Sequence, residues 1–351
     1  MTEQQPVAVL GGGSFGTAIA NIIARNGHVT HLWMRDPTQV ADCLETGENR
    51  RYLPGHRLES LVHPTADLAV ALRDSGLIFV TVPSGSFRAV SARIAAAAPA
   101  HAMVVSATKG IEADGFRLMS QVLEDYLPQD RIGVLSGPNL AEEIADGQFT
   151  GTVIASRSSE LTERVQQVLR SKTFRVYAND DVYGVELGGA LKNIYAIACG
   201  LAGGLGVGQN TLGMLITRSL AEMSRLAVSL GANPFTFLGL AGVGDLLVTC
   251  SSPLSRNYQL GVRLAQGLPL EAAIADLGKL AEGVNTLEVV HRRSQSLGVY
   301  MPLASGLYRL MFEQAHLQDV IVELMTGGQA VDVEFARPSE LGGQAYMGAS
   351  A

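Results

Sequence analysis

Apolar residues fall in short runs along the first half of the chain and at helical spacing along the second. Val7-Ala-Val-Leu10 is uninterrupted and leads straight into glycines. A run that short, bounded by turn residues, predicts a buried strand. Residues 14–26 then place Ala18, Ile22 and Ile23 on one helical face, with Gly27 where a helix end favours glycine. Further strands are expected at 29–33, 78–82, 103–106, 132–135, 153–155 and 174–177, with helices at 86–98 and 159–170. The runs at 78–82 and 103–106 read as buried on two faces, as in a parallel sheet covered on both sides. The alternation predicts an α/β unit with a doubly wound parallel sheet.

After about residue 180 the strand-like runs stop. Leu212, Leu215, Ile216, Leu220, Met223 and Leu226 share one helical face, and Gly231 follows. Helices also fit 258–266, 270–277, 286–296 and 304–312. The expected division is a sheet unit at 1–182, an all-helical unit at 183–334 and a flexible Gly/Ser/Ala-rich tail at 335–351.

Gly11-Gly-Gly-Ser-Phe-Gly16 fits G-x-G-x-x-G. The pattern is weak alone. Here it follows a predicted strand and opens a predicted helix, the context of a Rossmann-type dinucleotide site. Gly11 would permit the tight turn, Gly13 the approach of a pyrophosphate, and Gly16 close helix–strand packing. The next strand ends in Arg35-Asp36. An acidic residue there usually holds the ribose hydroxyls of NAD, and an arginine the 2′-phosphate of NADP. Asp36 could instead simply begin a turn with Pro37. The pair favours NADP, with NAD also usable. Later strand ends should face the same cofactor: Val82-Pro-Ser84, Ala107-Thr-Lys-Gly110 and Ser136-Gly-Pro-Asn139.

Charge narrows the partners. The chain has 351 residues and a formal net charge of -7. It lacks the global basic field that nucleic acid or an anionic membrane would call for, so any phosphate needs a local site. The first residues show no basic segment leading into an apolar core, and no stretch of about 18 uncharged apolar residues occurs. A cytoplasmic location without stable membrane insertion is expected. Cys43, Cys199 and Cys250 are odd in number and widely spaced. Neither a disulfide framework nor a metal site is expected. The Gly-rich helices could pack against a second copy, giving a homodimer.

Three polar islands interrupt the helical half. Lys192-Asn193 follows Leu187-Gly-Gly-Ala-Leu191; Asp245 follows Gly242-Val-Gly244; Ser255-Arg-Asn257 follows Pro253. A lysine in so apolar a setting either reaches out to water or has a chemical task. Reduction of a ketone needs a proton donor, and a lysine whose pKa is lowered by burial or a cationic neighbour suits that task. Asp245 would oppose that lowering, so orienting Lys192 or the substrate is its expected role. It could also simply cap a helix. Ser255, Arg256 and Asn257 resemble a phosphate cradle, although Arg256 could equally belong to a surface ion pair.

These segments, with Thr217-Arg-Ser-Leu-Ala-Glu-Met223 and Ala281-Glu-Gly283, occur in one order. From about residue 6 to 330 the chain strongly resembles bacterial NAD(P)-dependent sn-glycerol-3-phosphate dehydrogenases. The resemblance implies reversible reduction of dihydroxyacetone phosphate to sn-glycerol 3-phosphate for phospholipid synthesis. It implies Lys192 as proton donor and acceptor. Substrate contacts carried over are Lys109, Gly137, Asp245, Ser255, Arg256 and Asn257. Cofactor contacts are Ser14, Phe15, Arg35, Lys109, Ala141, Arg256, Leu280 and Glu282. The family commonly has Ser or Thr where this chain has Asn139, a larger donor with different reach.

Overall fold

The structure is a computed structural model that describes residues 5–278 and 281–327. Leu280 and the expected tail at 335–351 lie outside the described residues. Ten strands form among the described residues: β1 (Val7–Leu10), β2 (Thr30–Trp33), β3 (Val62–Thr65), β4 (Leu77–Val80), β5 (Met103–Ser106), β6 (Ile111–Glu112), β7 (Arg117–Leu118), β8 (Ile132–Ser136), β9 (Thr150–Ser156) and β10 (Phe174–Asn179), of which all but β3, β6 and β7 fall on the apolar runs. Eight of them make one sheet in the order β10-β9-β8-β5-β4-β1-β2-β3.

The pleat sends alternate residues into two separate cores. Val7 and Val9 pack with Ile19 and Ile23 on one face. Ala8 and Leu10 pack with Leu72 and Phe87 on the other. Both faces are therefore dry, which is why β1 and β4 are buried at every position.

The sheet is parallel, as expected, except at one pairing. β9 runs antiparallel to β8, and β10 runs parallel to β9. Between β8 and β9 the chain forms only a five-residue helix, Ala141–Ala145. β9 starts from the end of the sheet at which β8 leaves. The reversal also aims the next element. β10 delivers the chain to the opposite end of the strands, beside the start of β8, so the helix after it, Val182–Gly204, runs back alongside β8. Val185 packs on Val134 and Ala155. A Cβ at Gly189 would lie 2.5 Å from Ser136 Oγ. One turn further, Lys192 reaches the carboxyl ends of the strands.

Helices Gln209–Ser229, Arg256–Ala265, Glu282–Leu297 and Pro302–Phe312 surround this long helix. The closest approach is to Arg256–Ala265. A Cβ at Gly200 would sit 2.0 Å from Tyr258 O, and one at Gly261 would sit 2.0 Å from Ile197 O. The long helix's glycines at 200, 203 and 204 thus receive a helix of the same chain. β6 and β7 form a hairpin straight after Gly110. Its Ile111, Phe116 and Leu118 enter the core of the helical half, beside Leu187 and Leu191. Among the described residues, no helix is long and apolar enough to cross a membrane.

Candidate active site

The glycine loop is shaped as its spacing requires. Gly11 has φ +126°, and a Cβ there would lie 2.6 Å from Thr81 Oγ1. A Cβ at Gly16 would lie 2.0 Å from Gly11 O. At Gly13 there is nothing within 4 Å, so that backbone faces open space. Helix Ser14–Arg25 begins with no side-chain cap, leaving N–H groups and partial positive charge for an anion. The cradle fits a dinucleotide pyrophosphate.

Residues that periodicity did not reveal brace this loop. Asn49 Nδ2 donates to Gly12 O at 2.9 Å and to Thr17 Oγ1 at 2.8 Å. Gln39 Nε2 donates to Gly12 O at 2.6 Å, and Ser14 Oγ to Tyr52 O at 2.6 Å. Phe15 packs half-buried against the core on that side of the sheet. Arg35 is exposed just beyond β2. Asp36 caps helix Pro37–Thr46 by accepting from Thr38 N at 2.9 Å. The reading of Asp36 as the start of a turn with Pro37 thus holds in the form of a helix N-cap.

At the carboxyl ends of β5 and β8 the fold gathers three charges. Lys192 is 6% exposed and Asp245 is 1% exposed. Lys192 Nζ contacts Asp245 Oδ1 and donates to Thr249 Oγ1 at 2.7 Å. Lys109 Nζ donates to the other oxygen, Asp245 Oδ2, at 2.7 Å and to Gly137 O at 3.3 Å. Asp245 opens helix Asp245–Ser251, and Thr249 Oγ1 donates to its carbonyl at 2.6 Å. Lys192 does not reach out to water. Burial lowers its pKa to about 7; Asp245 works against the shift and Lys109 with it. The lowering by burial and a neighbouring cation that the chemistry asks for is therefore present.

A second layer holds this cluster. Asn257 Nδ2 donates to Asn193 Oδ1 at 3.0 Å, and Gly283 N donates to Asn257 Oδ1 at 3.0 Å. Ser255 caps helix Arg256–Ala265 by accepting from Tyr258 N at 3.3 Å. Arg256 is exposed at that helix start. Among the described residues, no carboxylate is within ion-pair distance of it. The surface ion pair considered for Arg256 is thus not found. Glu282 accepts from Ser84 N and Ser84 Oγ, tying a strand end to the helical half. Asn139 Nδ2 donates to Thr152 Oγ1 at 3.0 Å. Its Oδ1 is buried with no partner among the described residues. Ala141 begins the short helix after Asn139.

Comparison with known proteins settles the family. A sequence model described as "NAD-dependent glycerol-3-phosphate dehydrogenase N-terminus" matches residues 6–162, and its C-terminus counterpart matches 181–322. The chain belongs to the NAD-dependent glycerol-3-phosphate dehydrogenase family. A glycerol-3-phosphate dehydrogenase [NAD(P)+] of Pseudomonas fluorescens is 58% identical over 97% of this chain and 99% of its own. One from Azotobacter vinelandii is 57% identical over the same shares. The crystal structure of a glycerol-3-phosphate dehydrogenase from Coxiella burnetii superposes with a TM-score of 0.88 at 37% identity. It covers 92% of this chain and 99% of that one. The dehydrogenase family thus accounts for the order of the motifs. The convergence of Lys109, Lys192 and Asp245 is a property of this chain's own geometry.

Proposed function

We propose that this protein interconverts dihydroxyacetone phosphate and sn-glycerol 3-phosphate with NADP(H), using NAD(H) as well. The reading rests on one observation above all. A buried lysine of lowered pKa shares a carboxylate with a second lysine, at the strand ends that flank a dinucleotide cradle. The names of the relatives supply the substrate and the cofactor pair.

The bound cofactor would supply the hydride that reaches C2 of the ketone. Gly11, Gly13, Ser14, Phe15 and Gly16 would hold its pyrophosphate, with Arg35 at the adenosine end. Lys109, Ala141, Arg256, Leu280 and Glu282 would complete its contacts. Lys192 Nζ gives its proton to the C2 oxygen as the carbonyl is reduced, and takes it back in the reverse direction. Asp245 keeps both ammonium groups aimed at one place. Lys109 and the amide of Asn139 are donors for substrate oxygens beside Gly137. Arg256 and Ser255, at the positive end of a helix, receive the phosphate together with Asn257. Asn257 has one amide hydrogen left for that purpose, because Asn193 and Gly283 occupy the rest of its side chain. A small phosphorylated substrate and free thiols suit a cytoplasmic enzyme, whose product is a building block for phospholipids.

The test compares NADPH oxidation with dihydroxyacetone phosphate and with unphosphorylated dihydroxyacetone. Strong preference for the phosphate ester is expected, and equal rates would remove the phosphate cradle. Lys192→Ala should lower kcat about 100-fold or more. A near-normal kcat would end the proton-transfer role.

A further inference from the structure

We propose that Arg51 is a second cofactor-selectivity residue, which joins Arg35 in clamping the 2′-phosphate of NADP. The proposal deepens the NADP(H) reading and rests on it. In a fold of this kind the adenosine ribose lies at the end of the second strand, and the acidic residue there discriminates by accepting the ribose hydroxyls. Asp36 is poorly placed to do so. Its Oδ1 accepts from Thr38 N as a helix cap, and its Oδ2 faces Arg51 Nη1 at 3.4 Å. The carboxylate that would select NAD is therefore occupied, and it presents a guanidinium in its stead.

Arg51 belongs to a segment fixed to the glycine loop on either side of it. Asn49, fully buried, is bonded to Gly12 of the glycine loop. The carbonyl of Tyr52 accepts from Ser14, also in that loop, and the Arg51 guanidinium lies 5.3 Å from the Tyr52 ring centroid. The segment thus spans from the pyrophosphate cradle to the end of β2. Arg35 stands exposed at the same strand end, and no carboxylate pairs with it among the described residues. Arg51 and Asp36 side chains are 63% and 44% exposed. An ion pair so open to water is weak and easily exchanged. A phosphate dianion gives a guanidinium a stronger, forked partner. Arg50 is the internal contrast, because it turns away to pair with Asp42.

Isothermal titration of the full-length protein can test this without turnover. The ligands are adenosine 2′,5′-bisphosphate against 5′-AMP, and NADPH against NADH. Arg51→Gln should weaken the two 2′-phosphorylated ligands about tenfold and the other two less than about twofold. Arg50→Gln should shift none of the four. Equal loss for all four ligands, or no loss for any, would overturn the assignment of Arg51. If the unaltered protein itself fails to prefer adenosine 2′,5′-bisphosphate over 5′-AMP, the NADP reading is what falls, and the clamp falls with it. If that preference is present and survives in Arg51→Gln, only Arg51 is ruled out.

Discussion

Ser84 gives the Glu282 carboxylate two hydrogen bonds, one from its backbone N at 3.2 Å and one from its hydroxyl at 2.7 Å. Ser84 begins the helix after β4, and Glu282 begins a helix of the other half. They meet over Gly110, where a Cβ would crowd Ser84 Cβ at 2.5 Å and lie 3.5 Å from Glu282 Oε2. The pair closes the cleft beside Lys109. Ser84→Ala removes the hydroxyl and keeps the backbone donor. The loss of one charge-assisted bond, about 1.5 kcal/mol, should weaken NADPH binding roughly tenfold. Fluorescence titration would show it, and an unchanged Kd would deny the clasp a part in holding the cofactor.

The lowered pKa of Lys192 fixes the pH response. Ketone reduction needs the ammonium, so kcat/KM in that direction should fall as pH rises through about 7. Alcohol oxidation needs the neutral amine and should rise through the same range. In Asp245→Asn the influence that favours the ammonium is gone, while burial and Lys109 still act against it. The falling limb for reduction should therefore move to lower pH. Profiles measured in both directions decide the matter, and a limb that stays in place would show that another group sets it.

Gly261 is set against the backbone of the helix that carries Lys192. A Cβ there would lie 2.0 Å from Ile197 O and 2.5 Å from Leu201 N. Neither atom can move without bending that helix. Gly261→Ala should cost about 1–3 kcal/mol, read as a lower urea midpoint. KM for the phosphorylated substrate should rise as well, since Ser255, Arg256 and Asn257 shift with the displaced helix. Unchanged stability would mean that the two helices pack less closely than these distances require.

Glu186 is 3% exposed and accepts from Ser120 N at 3.0 Å. Burial pushes its pKa up to about 7, and the hydrogen bonds from Ser120 only partly oppose this. The unfolded carboxyl titrates near its ordinary value of about 4.3. Its contribution to stability is therefore full at low pH and is lost as pH rises towards 7. Glu186→Gln should flatten that dependence, with a difference on the order of 2 kcal/mol between pH 5 and pH 7.5. Thermal melts across that range provide the measurement, and parallel curves for the two proteins would reject the assignment.

Much of the fold and site is legible because the signals are local. Seven of the sheet strands are short apolar runs, and helix Leu270–Leu277 has the bounds its pattern suggests. Lys192 and Asp245 stand out as charges among apolar neighbours. Thr249 carries a usable signal too, since four residues after Asp245 it shares that helix face. Helix Pro37–Thr46 buries only Val40 and Cys43, too little to make a stripe. β3 is a four-residue edge strand containing Pro64, a composition that reads as a turn. The direction of β9 is a matter of how the chain returns between β8 and β9, which apolar spacing does not encode. Asn49 on Gly12 and Ser84 on Glu282 join distant parts of the chain. Their partners follow from the fold alone.

The hairpin β6–β7 has a consequence for inheritance. It leaves the sheet just after Lys109, yet Ile111, Phe116 and Leu118 are packed among side chains of the helical half. Grafting either half onto an unrelated counterpart would expose these three or leave a hole where they belong, and would unseat Lys109 with them. The two halves can therefore change only together, and a substitution in one is constrained by the other's interior.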